Sequence, residues 1–92
     1  MNKAELIQRT AAVTDLSQKD VARALDGLIE VIQSTVANGE KVTLVGFGAF
    51  EAKLTKERMG RNPATGEELV IPAKLVPRFH PGKEFKTQVG GS

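Results

Sequence analysis

Four basic side chains with the capacity to bind phosphate lie within nine positions of one another. They are Lys53, Lys56, Arg58 and Arg61, and among these positions only Glu57 opposes their charge. Lysine and arginine can neutralise the phosphates of a nucleic acid and release its condensed counterions. A charged loop that only keeps a protein in solution has the same composition, so charge alone leaves both roles open.

The distribution of charge favours the second half of the chain as the part that contacts a polyanion. The 92 residues have a formal net charge of +2, which is too small to identify a partner. Residues 1–46 have five basic and six acidic side chains, whereas residues 47–92 have the other eight basic and five acidic ones. We therefore expect any contact with a polyanion to lie in the second half.

The composition excludes several classes of protein. Because the chain has no cysteine and one histidine, it cannot form disulfide frameworks or thiolate zinc sites, and it has little capacity for acid-base catalysis. The glycine-containing segments 46–48 and 82–84 lack the spacing of nucleotide-binding loops. We expect no enzyme, metal, cofactor or small-molecule substrate, and we expect His80 to be a helix N-cap or a surface residue.

The overall balance of residues is that of one small globular domain. Apolar residues make up 40% of the chain and charged residues 26%, which excludes a disordered or fibrous protein. No run of 18 apolar residues is present, and residues 1–15 lack the apolar core of a signal peptide. We expect the protein to stay in the cytoplasm without membrane contact.

The first half of the chain has the signals of two α-helices. Asn2 and Ser17 are each followed three positions later by an acidic residue, which is the spacing of an N-cap and the third residue of a helix. This spacing predicts a helix at about residues 3–13 and a longer one from Ser17 to the stop at residues 38–39. Apolar residues cover about half the circumference of the second helix, which is wider than the usual stripe of about 100°. This helix therefore needs more than one neighbour.

The second half predicts strands and a short helix. Residues 41–54 are rich in Val, Leu and Phe, and two glycines within them indicate a bend or a close backbone contact. A second strand is predicted over residues 69–76, with Pro72 at an edge or an unpaired position. Pro81 is typical of the first turn of a helix, so we expect a C-terminal helix at about residues 81–89.

Between the two strand patterns lies a segment without a core face. Residues 55–68 contain only two apolar side chains and turn at an Asn-Pro-Ala-Thr-Gly sequence. They predict a protruding, mobile β-hairpin arm over about residues 55–72. Pro63 at its tip is flanked by Arg61 and Asn62, and an apolar wedge among phosphate-binding groups can unstack a DNA base step.

The small core outside the arm predicts a dimer. About 70–80 residues remain there, a size at which one core supplies about 3–5 kcal/mol and disulfides, metals or partner chains are usually needed. Because cysteines and metal ligands are absent, we expect two interlocked chains related by twofold symmetry. The strand patterns place four apolar side chains in this dimer core rather than in a base-stacking surface. They are Leu44, Phe47, Phe50 and Phe79.

Several short motifs in a fixed order resemble one known family. GFGAF at residues 46–50, GRNPATGE at 60–67, VPRF at 76–79 and the pair Gly82-Lys83 are similar to the bacterial HU and integration host factor family of histone-like DNA-binding proteins. The resemblance covers nearly the whole chain, and it is strongest to HU. It implies an α+β fold with an N-terminal helical pair, an antiparallel sheet with a long protruding β-ribbon arm, a short C-terminal helix and an intertwined dimer.

The resemblance also implies a mechanism and the residues that perform it. Two arms would lie in the minor groove of a bent duplex, each with Pro63 inserted at its tip and with Arg61 and Asn62 beside it. The arm would further contact DNA through Lys53, Lys56, Arg58 and Lys74. The body would contact the flanking phosphates through Lys3, Lys83 and Lys86. Thr55 stands where family members often carry a basic residue, so we expect a lower affinity of the arm.

Together, these features predict one HU-like DNA-binding domain over residues 1–92. It consists of a helical part at 1–40, a sheet and arm at 41–79, and the C-terminal helix. We expect a non-sequence-specific protein of the bacterial nucleoid that bends and compacts duplex DNA and favours nicked, gapped or distorted duplexes. A homodimer is expected, and a heterodimer with a paralogue stays open.

Two other functions fit the same residues. The chain could be a site-specific subunit like those of integration host factor, and a footprint confined to one sequence would favour that function. It could also be an RNA chaperone, or a structural dimer whose arm binds protein, and binding to A-form RNA without duplex-DNA affinity would favour the former.

Overall fold

The structure is a computed structural model that describes residues 1–91. The chain forms two compact units, Met1–Ser34 and Thr35–Ser92. Ser92, the last residue of the expected single domain, lies outside the described residues. The expectation of one domain over the whole chain stays a prediction.

Both N-terminal helices begin where their capping residues predict. Helix α1 spans Lys3–Thr14, and the Asn2 Oδ1 accepts a hydrogen bond of 2.9 Å from the backbone N–H of Glu5. Helix α2 spans Gln18–Ala37, and Ser17 Oγ caps its first turn in the same way. These side chains satisfy backbone donors that have no partner within a helix.

Part of the wide apolar stripe of α2 is exposed within the chain. Val21 and Val36 are buried, with 6% and 8% of their surface exposed. Leu28 and Val31, by contrast, are 59% and 62% exposed. Large exposed apolar surfaces are rare on monomeric proteins, so this helix requires a further neighbour, as its sequence pattern predicts.

Five strands follow α2 in two antiparallel sheets. The first sheet has the order β1-β2-β5 and the second the order β3-β4. Their bounds are Val42–Leu44 for β1, Gly48–Leu54 for β2, Arg58–Arg61 for β3, Glu68–Ile71 for β4 and Leu75–Pro81 for β5.

The expected bend within residues 41–54 is the turn between β1 and β2. Phe47 N–H donates to the Leu44 carbonyl oxygen over 3.0 Å, and Gly46 has a φ of 86°, which favours glycine. At Gly48 a Cβ would lie 2.6 Å from the carbonyl oxygen of His80. Only glycine therefore allows the strands to approach this closely.

The arm is a continuation of the β2-β5 pair. Leu54 pairs with Leu75 at the end of one ladder, and Arg58 pairs with Ile71 at the start of the next. Both strands advance by four residues between these pairs, so the register is the same in the arm and in the body. Pro72 lies in the break, which confirms that the second strand pattern is interrupted there.

The expectation that the hairpin has no core face is wrong in one detail. The returning strand β4 adds Leu69 and Ile71, and Ile71 is half-buried. A Cβ at Gly60 would lie 2.8 Å from the Ile71 Cδ1 and 3.8 Å from a Leu69 methyl group. The two side chains therefore pack over the bare backbone of Gly60 and form a small apolar contact within the arm.

The C-terminal helix begins later than Pro81 predicts. Helix α3 spans Lys83–Gly90, with Gly82 as its N-cap. Pro81 is instead the last residue of β5, where it pairs with Gly48. Gly82 N–H donates to the Phe47 carbonyl oxygen over 2.8 Å, so sheet pairing continues up to the helix. The N-cap alternative for His80 is also wrong, because His80 lies in β5.

The four phenylalanines form one cluster in the second unit. The ring centroids of Phe50 and Phe79 are 4.8 Å apart, those of Phe47 and Phe79 are 5.2 Å apart, and Phe85 stacks on Phe47 at 5.3 Å. Such separations are typical of packed aromatic pairs. Phe47 and Phe79 nevertheless stay 43% and 38% exposed, so the cluster is open on one side.

Few hydrophobic residues are buried in either unit of the described chain. Of the hydrophobic residues in the part of the chain that the structure describes, only Val21, Val36 and Ala49 are buried. Across residues 1–91, none of the helices has the length and apolar character needed to cross a membrane.

Candidate nucleic-acid interface

The tip of the arm is a loop closed by backbone hydrogen bonds. It connects β3 to β4 over residues 62–67. Asn62 N–H donates to the Glu67 carbonyl oxygen over 2.8 Å, and Gly66 N–H donates to the Asn62 carbonyl oxygen over 2.7 Å. Gly66 has a φ of 72°, which a residue with a side chain rarely adopts. The tip therefore has a defined conformation rather than that of a loose loop.

The Asn62 side chain holds the proline of the tip in place. Its Oδ1 accepts a hydrogen bond of 2.9 Å from the backbone N–H of Ala64, so that the bond closes around Pro63. This is an Asx turn, in which asparagine mimics a backbone turn. Pro63 adds its own fixed φ and is exposed at the end of the arm. The loop thus presents an apolar ring on a stiff support.

Asn62 therefore has a role beyond the groove contact that the sequence predicts. It is half-buried, and its amide oxygen is already occupied by Ala64. Its amide NH2 group keeps its capacity to donate hydrogen bonds to acceptors on DNA. An asparagine directly before a proline is a known signal for such a turn, and this signal could have indicated the positioning role from sequence.

Arg58 and Arg61 lie on opposite faces of the arm. Side chains alternate between the faces of a strand, and these two residues are three positions apart on β3. Both are exposed, and among residues 1–91 neither takes part in an ion pair. The arm therefore offers free positive charge on both of its faces.

The remaining basic residues of the arm are spread along its base. Lys53 is in β2 opposite Val76, whereas Lys56 and Lys74 lie in the break between the two ladders. All three lysines are exposed. Arg58 and Arg61 thus lie in the two-stranded β3-β4 sheet, whereas the three lysines lie in β2 or in the break next to it.

The predicted body contacts lie in different settings. Lys3 is in the first turn of α1, and its Nζ lies 2.6 Å from a carboxylate oxygen of Asp26. Lys83 and Lys86 are exposed on α3, and their separation of three positions places them on one side of that helix. The phosphate contact of Lys3 stays a prediction, and it would require the side chain to leave Asp26 or to share it.

Arg78 is a basic residue that the sequence analysis did not assign to the interface. It lies in β5 opposite Glu51, on the face of the sheet that does not carry Phe50 and Phe79. On the same face, Nε2 of His80 lies 2.8 Å from Oε1 of Glu51. The sequence could have indicated that Arg78 is exposed, because a residue next to an inward-facing phenylalanine in a strand must face outward.

No cluster of three or more potential metal ligands occurs within residues 1–91. The candidate site is a surface of charged and apolar side chains on the arm.

Comparison with known proteins identifies the family. The family of bacterial DNA-binding proteins matches residues 1–90. The chain belongs to this family. DNA-binding protein HU 1 of Bacillus subtilis is 48% identical to the chain over 91 residues, which are 99% of each protein. This match confirms the family that the ordered motifs predict.

Solved structures of the family have the same fold. The chain of an HU–DNA cocrystal structure from Anabaena matches with a TM-score of 0.95 and 43% identity, and the match covers 100% of both chains. HU from Thermotoga maritima matches with a TM-score of 0.68 and 37% identity over 97% of this chain and 98% of that one. The α+β fold class with three helices and antiparallel strands is confirmed.

Proposed function

We propose that this family member is an architectural protein that bends and compacts double-stranded DNA with its arms. The observation that carries the proposal is the tip of the arm, where a hydrogen-bonded loop presents exposed Pro63 close to the free charge of Arg61. Membership of a DNA-binding family supports DNA as the partner. The near-identical fold of the Anabaena HU chain in its DNA cocrystal supports the same partner.

The arm inserts into the minor groove. A two-stranded ribbon is narrow enough to enter a DNA groove, and positive charge on both of its faces can reach phosphates on both strands. Proteins of the HU and integration host factor type are established minor-groove binders, and this step is taken over from them. Lys53, Lys56 and Lys74 then lie along the part of the ribbon nearest the body.

Pro63 acts as the wedge that bends the duplex. An apolar side chain between two base pairs unstacks them, which costs a few kcal/mol and kinks the duplex. The bend brings flanking DNA to the body, where Lys3, Lys83 and Lys86 bind its phosphates. These added contacts offset the cost of unstacking.

The protein selects DNA by its deformability rather than by its sequence. The minor groove distinguishes A·T from T·A poorly, so contacts made there carry little sequence information. A nick, gap or other distortion lowers the energy needed to bend the duplex. The protein therefore binds such sites more tightly than intact duplex.

The functional unit is a homodimer with two arms. Leu44, Phe47 and Phe79 are exposed in the single chain, as are Leu28 and Val31 of α2. A second copy that covers these residues completes a core which is otherwise small. The bend then results from two tips acting on one duplex, and the protein works at the nucleoid in the bacterial cytoplasm.

The substitution Pro63→Ala tests the wedge. We expect the variant to dimerise and to bind DNA with the salt dependence of the original protein, because proline carries no charge. The bend angle, measured by energy transfer between dyes at the two ends of a short duplex, is expected to decrease. Ala64→Ser, a small change in the same loop, is the control and should leave the bend unchanged. An unchanged bend angle in Pro63→Ala would contradict insertion.

A further inference from the structure

The arm is joined to the body by an unusual pair of residues. Thr55 and Lys74 follow directly on the last pair of the β2-β5 ladder. Thr55 N–H donates to the Lys74 carbonyl oxygen over 2.9 Å. The Thr55 hydroxyl accepts from Lys74 N–H over 3.1 Å and lies 3.2 Å from the Lys74 carbonyl oxygen, to which it donates. One side chain thus makes two of the three hydrogen bonds of this pair.

The hydroxyl takes the place of a backbone acceptor. In an antiparallel ladder, the two residues of a hydrogen-bonded pair exchange both of their N–H···O=C bonds. Here Lys74 N–H donates to the side chain of Thr55 rather than to its carbonyl oxygen. The ladder therefore ends at Thr55 with a contact that depends on the identity of the side chain.

Between this pair and the start of the β3-β4 ladder, the two segments of the described chain are not joined by backbone hydrogen bonds. Hydrogen-bonded pairs alternate along a ladder, so the next one would be Glu57 with Pro72, whose nitrogen has no hydrogen to donate. Among residues 1–91, no backbone hydrogen bond joins segment 56–57 to segment 72–73. Pairing resumes at Arg58 and Ile71 in the same register.

We infer that Thr55 is a positioning residue for the arm, an inference that rests on the proposed function. Its hydroxyl, together with the backbone hydrogen bond of the same pair, fixes the direction in which the β3-β4 ribbon leaves the body. The pair lies directly before the joint, which is formed by the unbonded segments 56–57 and 72–73. Because Pro63 lies at the far end of that ribbon, a small change in direction at Thr55 displaces the tip by a larger distance. Thr55 therefore acts on DNA through the aim of Pro63 rather than through a phosphate contact.

An uncharged residue is useful at this point of a basic arm because its hydroxyl bonds to the opposite strand. Thr55 is half-buried and uses its hydroxyl as both donor and acceptor to the Lys74 backbone. Valine has the same shape without a hydroxyl, and serine keeps the hydroxyl with one methyl group fewer. These two substitutions separate the hydrogen bonds from the bulk of the side chain.

The fold should survive both substitutions. The seven pairs of the β2-β5 ladder lie on the body side of Thr55, and the four pairs of the β3-β4 ladder lie beyond the joint. Neither ladder uses the Thr55 hydroxyl. The effect of Thr55→Val is therefore expected at the joint alone.

The test measures the joint and the DNA separately, in the full-length protein. Amide hydrogen exchange of Lys74 in the free protein reports the bridge, which is the hydrogen bond from Lys74 N–H to the Thr55 hydroxyl. The bend angle of a dye-labelled nicked duplex reports the position of the arm tip on DNA. In Thr55→Val we expect exchange of Lys74 to be about three- to tenfold faster. We also expect a smaller bend and an unchanged dependence of affinity on salt, because no charge is lost. Thr55→Ser should restore both readouts.

The possible failures are distinguishable. Unchanged exchange of Lys74 in Thr55→Val would overturn the bridge. Faster exchange with an unchanged bend would overturn the positioning role and leave the proposed function standing. An original protein that binds the duplex without bending it would overturn the positioning role and the proposed function together, whatever the exchange of Lys74 shows.

Discussion

Arg58 and Arg61 meet different residues on the returning strand of the arm. Arg58 lies opposite Ile71, and Arg61 lies opposite Glu68. Neither arginine is held in an ion pair within the described chain. Both side chains are therefore available to bind phosphate, on different faces of the ribbon.

Each of these arginines should contribute one phosphate contact. We expect Arg58→Ala and Arg61→Ala each to reduce the magnitude of the slope of log affinity against log salt by about one. The reason is that a phosphate no longer contacted by arginine keeps its condensed counterion when the protein binds. Titration of a labelled duplex over a salt series measures this slope. Arg58→Lys keeps the charge and should keep the slope of the original protein. A slope that does not change in Arg58→Ala would remove this residue from the contacts.

Contacts within one turn of a helix can be predicted from local sequence spacing. Contacts between residues distant in sequence cannot. The caps at Asn2 and Ser17 follow from spacing within one turn, and the structure has both. The ion pair of Lys3 with Asp26 joins two different helices, so no local pattern reveals it. The hydrogen bond between the Thr55 side chain and the Lys74 backbone spans 19 positions, and local sequence patterns do not predict it either. Sequence suggested only that Thr55 lacks a charge.

At the scale of elements, pairing with a neighbouring strand determines the secondary structure of residues whose sequence pattern fits both a helix and a strand. Pro81 has a φ that suits a first helical turn, but it also suits the end of a strand. Its pairing with Gly48, and the hydrogen bond from Gly82 to Phe47, place it in β5. The helix therefore starts at Lys83. The partner strand is distant in sequence, so this boundary could not be predicted from residues 81–89 alone.

The arm shows the same dependence on a partner strand. Its position and its turn follow from the scarcity of apolar residues and from the Asn-Pro sequence of the tip. Its internal contact does not, because Leu69 and Ile71 on β4 pack over Gly60 on β3. Those residues fell outside the segment whose composition defined the hairpin. Composition thus located the element, whereas the packing inside it required the register.

At the scale of the whole molecule, the exposed apolar residues indicate that a partner chain covers them. Phe47 and Phe79 are part of a tight aromatic cluster and are still about two-fifths exposed. Val21, Val36 and Ala49 are the buried hydrophobic residues of the described chain, which is little for a chain of 92 residues. A second copy accounts for both observations, and the sequence anticipated it from the size of the core.

Association should therefore be inseparable from folding. We expect sedimentation at micromolar concentration to give the mass of a dimer, and we expect a melting temperature that rises with protein concentration. Phe47→Ala should destabilise this dimer by about 3–5 kcal/mol, as truncation of a buried phenylalanine does. Phe47→Leu, which keeps most of the apolar volume, should cost much less. A folded monomer at micromolar concentration would contradict the dimeric core.

We expect the protein to recognise the ease with which DNA bends. The most direct measurement titrates two labelled duplexes of identical sequence, one intact and one with a central nick, over a salt series. The label must be on the DNA, because the chain has no tryptophan or tyrosine. We expect tighter binding to the nicked duplex and a preference that persists as salt rises, because the nick lowers the bending energy and leaves the phosphate contacts unchanged. Equal affinity for the two duplexes, lost together as salt rises, would contradict the claim and leave phosphate contact as the only interaction.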